Sequence, residues 1–242
     1  MSQNIALGSL PFLDVYGLQI AKASATSLTM AAGQARDANN VIDIVLNDAV
    51  TIDATVNGAN GLDTGDLANN TWYYVFLIGS SLNEKPAAAI LSASATPLMP
   101  MGYDSYRRIG FALTDGSAEF LSFDVYGNGN ARQYYWDAVA TELSAGAATS
   151  FTDVDLTSSV APTSTLAYLN WKFSPQAAGN LANLRKNGSS STANIQITGS
   201  VAAEPNAGFL AMNTDSAQII EYKVANASDA LTLYCYGFED FI

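Results

Sequence analysis

The 242-residue chain carries 22 acidic against 10 basic residues, a net charge of -12, and 49% of it is hydrophobic. That field repels phosphate backbones and anionic lipid headgroups, so nucleic acid and membrane surfaces are disfavoured as partners. Arg107–Arg108 and Arg185–Lys186 are only isolated basic pairs.

The chain has no histidine, which removes the commonest general base and the commonest metal ligand. The single cysteine, Cys235, has no partner for an intramolecular disulfide and sits in an alternating strand pattern, where it reads as a small buried hydrophobe. No N-terminal apolar region with a cleavage site is visible. No apolar run reaches the roughly 18–20 residues of a membrane span. The expectation is a soluble product made in a cytoplasm.

The length suits one large all-β domain or two of about 100–120 residues. Met1–Ala35 reads as an arm plus one or two edge strands, and Gly33–Asn40 (GQARDANN) as a polar turn. In Val41–Leu46, Ile42, Ile44 and Leu46 form an apolar face, and Val50–Val56 continues as a second short strand.

Gly61–Ile78 (GLDTGDLANNTWYYVFLI) carries the strongest signal. Gly61, Asp63, Gly65, Asp66, Asn69 and Asn70 are turn chemistry, followed by β-branched and aromatic residues from Thr71 to Ile78. Trp72, Tyr74, Phe76 and Ile78 share one face, with Tyr73, Val75 and Leu77 on the other. Both faces are apolar, which predicts a central strand covered on both sides.

Ser80–Lys85 then reads as a hairpin loop, Ala87–Ser94 as a strand and Thr96–Tyr103 as an extended loop. Tyr106–Leu113 and Glu119–Tyr126 read as hairpin partners around the tight turn Thr114–Ser117. Gly127–Asn130 (GNGN) is the linker candidate, which predicts domains at 1–128 and 129–242 with the boundary in Gly127–Arg132.

Beyond it, Tyr134–Leu143, Phe151–Leu156, Leu166–Phe173, Asn194–Thr198, Gly208–Met212, Ile219–Val224 and Leu231–Phe238 read as strands. Pro175–Asn183 and Lys186–Ser191 read as loops. Turn signals every 8–12 residues predict two jelly-roll-like β-sandwich domains.

Acidic residues are the only abundant reactive side chains. Asp63 with Asp66, Asp153 with Asp155, and Glu239 with Asp240 are close pairs, and solvated turn acids explain them best. Asp63 and Asp66 have ion-ligand types without EF-hand spacing. A glycosidase pair would need two carboxyls facing one cleft. Tyr134, Tyr135 and Trp136 are consecutive, so at least one turns away from its sheet's core. Cover by the other half of the chain or by a second copy explains them best, ahead of a ligand platform. Tyr103 and Tyr106, beside a loop, read as packing. No catalytic, cofactor or metal residue is assigned.

Three segments resemble a module of tailed-bacteriophage virion proteins, the tail-fibre or minor structural proteins. They are Ala31–Leu46, Gly61–Ile78 and Tyr106–Phe123. Trp136–Leu156, Leu184–Ser190, Ile219–Val224 and Tyr234–Phe241 resemble, more weakly, a domain often fused to it. The resemblance implies a non-enzymatic component on the outside of the phage particle: a tail fibre or tail-associated protein in contact with other virion proteins and with a host surface glycan or protein. A capsid decoration, cement or head-fibre protein is the second reading, and a polysaccharide depolymerase the third. Self-association is expected from the apolar faces of Thr71–Ile78 and the ring run Tyr134–Trp136, and the resemblance implies a trimer.

Overall fold

The computed structural model describes residues 15–82, 84–127 and 129–242, and the chain is all-β, with no helix among them. Two compact units are present: one runs up to Arg132 and includes Ile242, and the other is Gln133–Phe241. The first fourteen residues of the expected arm, and Asn128 at the expected boundary, lie outside the described residues.

The first unit is built from three small sheets. Strands β1 (Val15–Gly17), β2 (Ile20–Lys22), β3 (Ser27–Met30), β4 (Gly33–Arg36), β5 (Asp43–Leu46) and β6 (Val50–Asp53) form the sheets β1-β4-β5 and β2-β3-β6. Gly33–Arg36 is therefore a strand and not part of a polar turn. Its Ala35 side chain is buried, and Asp37 closes the turn after it by accepting from the backbone N–H groups of Val41 and Ile42 at 2.6 and 2.8 Å.

Strands β7 (Gly61–Leu62), β8 (Trp72–Gly79), β9 (Ala88–Ser92) and β10 (Ser105–Leu113) make the third sheet, in the order β10-β8-β9-β7. Strand β8 lies between two antiparallel neighbours, and Tyr73, Val75, Phe76, Leu77 and Ile78 are all buried. Its two apolar faces are thus covered inside the unit, as a central strand requires. Gly61 opens this sheet because a Cβ there would stand 2.2 Å from the Val56 carbonyl oxygen.

The expected hairpin partner of β10 is a correction. After Leu113 only a single bridge, Thr114 to Phe120, continues the pairing. Phe120 is buried edge-on against Tyr73, and its N–H bonds the Ala25 carbonyl, so the chain leaves β10 to fill the core. Strand β11 (Phe123–Tyr126) follows.

The second unit is a β-sandwich. Strand β12 (Ala131–Gly146) leads into it, followed by β13 (Thr152–Asp155), β14 (Leu166–Ser174), β15 (Leu181–Lys186), β16 (Ile195–Thr198), β17 (Asn206–Asn213), β18 (Ile219–Val224) and β19 (Ala230–Phe241). One sheet runs β12-β19-β14-β17 and the other β13-β18-β15-β16. Leu169, Phe173, Leu231, Leu233 and Cys235 supply buried side chains from the first, and Val154, Leu184, Ile220 and Val224 from the second. Each such side chain contributes about 1.5–3 kcal/mol on burial.

Strand β15 corrects the reading of Pro175–Asn183 as loop throughout. Ala182 and Leu184 point inward, while Arg185 pairs with Glu221 of β18 at 2.7 Å and lies over the Phe151 ring at 3.7 Å. Half of this strand's inner face is alanine, so its apolar signal is weak.

Candidate binding face

Alternation along β12 decides where the ring run goes. Tyr134 and Trp136 point into the sandwich, and Tyr135 points out. Tyr134 stacks on Phe238, and the Trp136 indole N–H donates to the Ser159 carbonyl at 2.9 Å. Two of the three rings are therefore covered within their own unit, and they no longer argue for a second copy.

Tyr135 does not stand alone on the outer face. Across the sheet, Tyr168 of β14 and Tyr236 of β19 meet it with ring centroids 5.7 and 6.1 Å away, and they lie 5.9 Å from each other. The three planes are within 14–23° of parallel. Tyr236 faces outward by alternation with the inward Leu231, Leu233 and Cys235, and a bulge follows it, since Leu169 pairs with Cys235 but Tyr168 with Gly237. Gly237 is required there because a Cβ would stand 2.0 Å from the Tyr134 carbonyl oxygen. Phe209 of β17 closes the row, edge-on to Tyr236 at 6.0 Å, and is 75% exposed.

Polar groups rim these rings. The Tyr168 hydroxyl donates to Glu239 Oε2 at 3.1 Å and the Tyr135 hydroxyl to Gln133 Oε1 at 3.3 Å. Burial, then the bond to the Glu239 carboxylate, pushes the Tyr168 phenol well above its ordinary range, and burial does the same for Tyr236. Both remain protonated donors. Such a face stacks ring planes and offers hydroxyl hydrogen bonds, with the Glu239 carboxylate at its rim.

The acidic pairs fall on different elements. Asp63 accepts from the Leu98 N–H at 3.0 Å in a loop, and Asp66 is exposed. Asp153 and Asp155 are exposed on β13, and Asp155 accepts from the Thr157 N–H. Glu239 and Asp240 are consecutive on β19, one at the tyrosine rim and the other buried. Among the described residues no group of three His, Cys, Asp or Glu is placed to hold a metal ion. Tyr103 and Tyr106 pack on Phe76, Ile78, Ala88 and Ile90, and the Tyr103 hydroxyl donates to the Pro86 carbonyl. A cleft of about 650 Å³ opens beside Ala211–Asn213, where Asn187 donates to Asp215 at 2.7 Å.

Sequence reasoning singled out Tyr135 and missed its companions Tyr168, Tyr236 and Phe209. The alternation Leu166–Tyr168–Asn170 was a usable signal for Tyr168. The alternation of Leu231, Leu233 and Cys235 with Thr232, Tyr234 and Tyr236 was an equally usable signal for Tyr236.

No family model and no curated protein matches the chain. Among solved structures, a CBM4 structure matches 49% of this chain and 78% of its own at 8% identity, with a TM-score of 0.24. The infectious bursal disease virus Gx strain structure matches 95% of this chain and 72% of its own at 10% identity, with a TM-score of 0.22. A Bacillus thuringiensis Cry1Da tryptic core variant matches 95% of this chain and 51% of its own at 10% identity, with a TM-score of 0.18. At such TM-scores none of these likenesses bears on function.

Proposed function

We propose that the chain is a non-enzymatic structural protein on the outside of a tailed-bacteriophage particle, a tail fibre or tail-associated component. The observation that carries this reading is the resemblance of Ala31–Leu46, Gly61–Ile78 and Tyr106–Phe123 to a virion module. Their placement supports treating them as one module. Strands β8 and β10 pair along their length, the Ala38 N–H bonds the Tyr106 carbonyl at 2.8 Å, and the Asn70 N–H bonds the Asp115 carbonyl at 2.8 Å.

We read the acidic pairs as turn and surface carboxylates and not as a glycosidase pair, which needs two carboxyls about one scissile bond. The tyrosine face is the surface we assign to a host saccharide. A density map of the particle whose genome encodes this chain tests the reading. Density for the chain at the tail or its fibres supports it, density on the capsid replaces it with a decoration role, and no density anywhere refutes it.

A further inference from the structure

Strand β17 ends its sheet, and among the described residues no strand pairs with its far edge. Its eight residues, NAGFLAMN, contain no charge and no proline. Soluble proteins protect such edges with short length, charge, proline or a covering segment, because a bare edge templates another strand. The other sheet edges carry one of these devices. Strands β1, β2, β5, β6, β7, β11, β13 and β16 have two to four residues each. Strand β13 also exposes Asp153 and Asp155. Strand β10 is long, but the Ala38 N–H bonds the Tyr106 carbonyl on it, and Arg107 and Arg108 lie within it.

The middle of β17 is also its most apolar exposed point. Phe209 touches Tyr236 by its edge and leaves 75% of its surface uncovered. Ala207 and Ala211, two positions away on the same face, are small.

We infer that β17 is a self-association edge, pairing antiparallel with β17 of a second copy about a twofold axis. The occupant is a second copy because the partner must present a long uncharged edge of its own. Among the described strands β17 itself is the one that does. An antiparallel strand paired with itself is symmetric, so one surface serves both sides of the contact. In that arrangement each Phe209 ring reaches Ala207 or Ala211 of the partner strand, a large-on-small fit. Strand β17 itself brings no charge to the contact, which matters between chains of net charge -12. It joins copies in pairs, so a threefold ring would need a different surface. The inference does not depend on where the protein acts.

Light scattering on the full chain at tens of micromolar tests it, with Phe209→Lys as the first variant. The wild type is expected at twice 25.4 kDa and the variant at half that mass, with an unchanged thermal melt. Ala207→Lys, on the same face, serves if Phe209→Lys melts early. Phe209→Cys is expected to give a covalent dimer with a short bis-maleimide, since the native Cys235 is buried. A monomeric or trimeric wild type, a dimer that survives the lysine variants, or no cross-link would overturn the inference. Dimers dissociated by an added peptide of foreign sequence but not by the lysine variants would assign the edge to another partner, and also overturn it.

Discussion

The rings of Tyr134 and Phe238 lie 4.5 Å apart with 6° between their planes, in the core of the second unit. Their neighbour Tyr135 stacks more loosely, at 5.7 and 6.1 Å, with other tyrosines on the opposite face of the same sheet. Adjacent residues therefore face core and surface. Tyr134→Ala is expected to cost about 3–5 kcal/mol, as for other large core aromatics. Tyr135→Ala should cost less than roughly 1.5 kcal/mol, the scale of a ring pair. Urea denaturation of both variants checks this, and equal losses would contradict the assignment of faces.

Asp229 is buried and accepts from the Gln176 N–H at 2.6 Å, the Asn180 side-chain amide at 2.8 Å and the Asn226 N–H at 3.0 Å. Asp229→Ala strands three donors, and bonds to a charged acceptor are the stronger kind. A loss of roughly 3 kcal/mol is expected from chemical denaturation. A loss within experimental error would mean that water replaces the carboxylate without penalty.

Burial raises the Glu142 carboxyl above its ordinary range, against hydrogen bonds from Ser159 and Ser158 that favour the charged form. The folded state therefore holds this proton more tightly than the unfolded chain. Its contribution to stability is fully present below the ordinary carboxylate range and is lost as pH rises through the raised value. Glu142→Gln stays neutral and keeps an acceptor for both serines. It should raise Tm at neutral pH, with the gain shrinking as the buffer is acidified. A gain independent of pH would point to packing instead.

Cys235 is buried, and burial pushes its thiol up to about 12. A neutral buried thiol is a poor nucleophile. A disulfide reagent should leave the native protein unlabelled for hours and modify one thiol per chain in denaturant. Rapid native labelling would mean that β19 opens locally.

Strand β8 was legible in the sequence because its two apolar faces need cover whatever the fold. Strands β14 and β18 were legible through alternation. Strand β15 was not, since of its inward residues Ala182 carries little apolar signal and Leu181–Asn183 read as the end of a loop. The partner expected for β10 failed because an Asp-Gly turn fixes only a local reversal: pairing stops at the Thr114–Phe120 bridge, where Phe120 packs against Tyr73 and its N–H bonds the Ala25 carbonyl. The tyrosine cluster was hidden for a different reason. Tyr135, Tyr168 and Tyr236 stand on three strands far apart in the chain, and only the strand order β12-β19-β14 brings them together.

Membership of the phage particle is the claim on which the rest of the functional account depends. Quantitative mass spectrometry of density-banded particles, washed free of lysate, tests it most directly. The account predicts this polypeptide among the particle proteins in fixed, repeatable proportion to the major capsid protein. Its presence in the infected-cell lysate together with its absence from the banded particles would contradict the account.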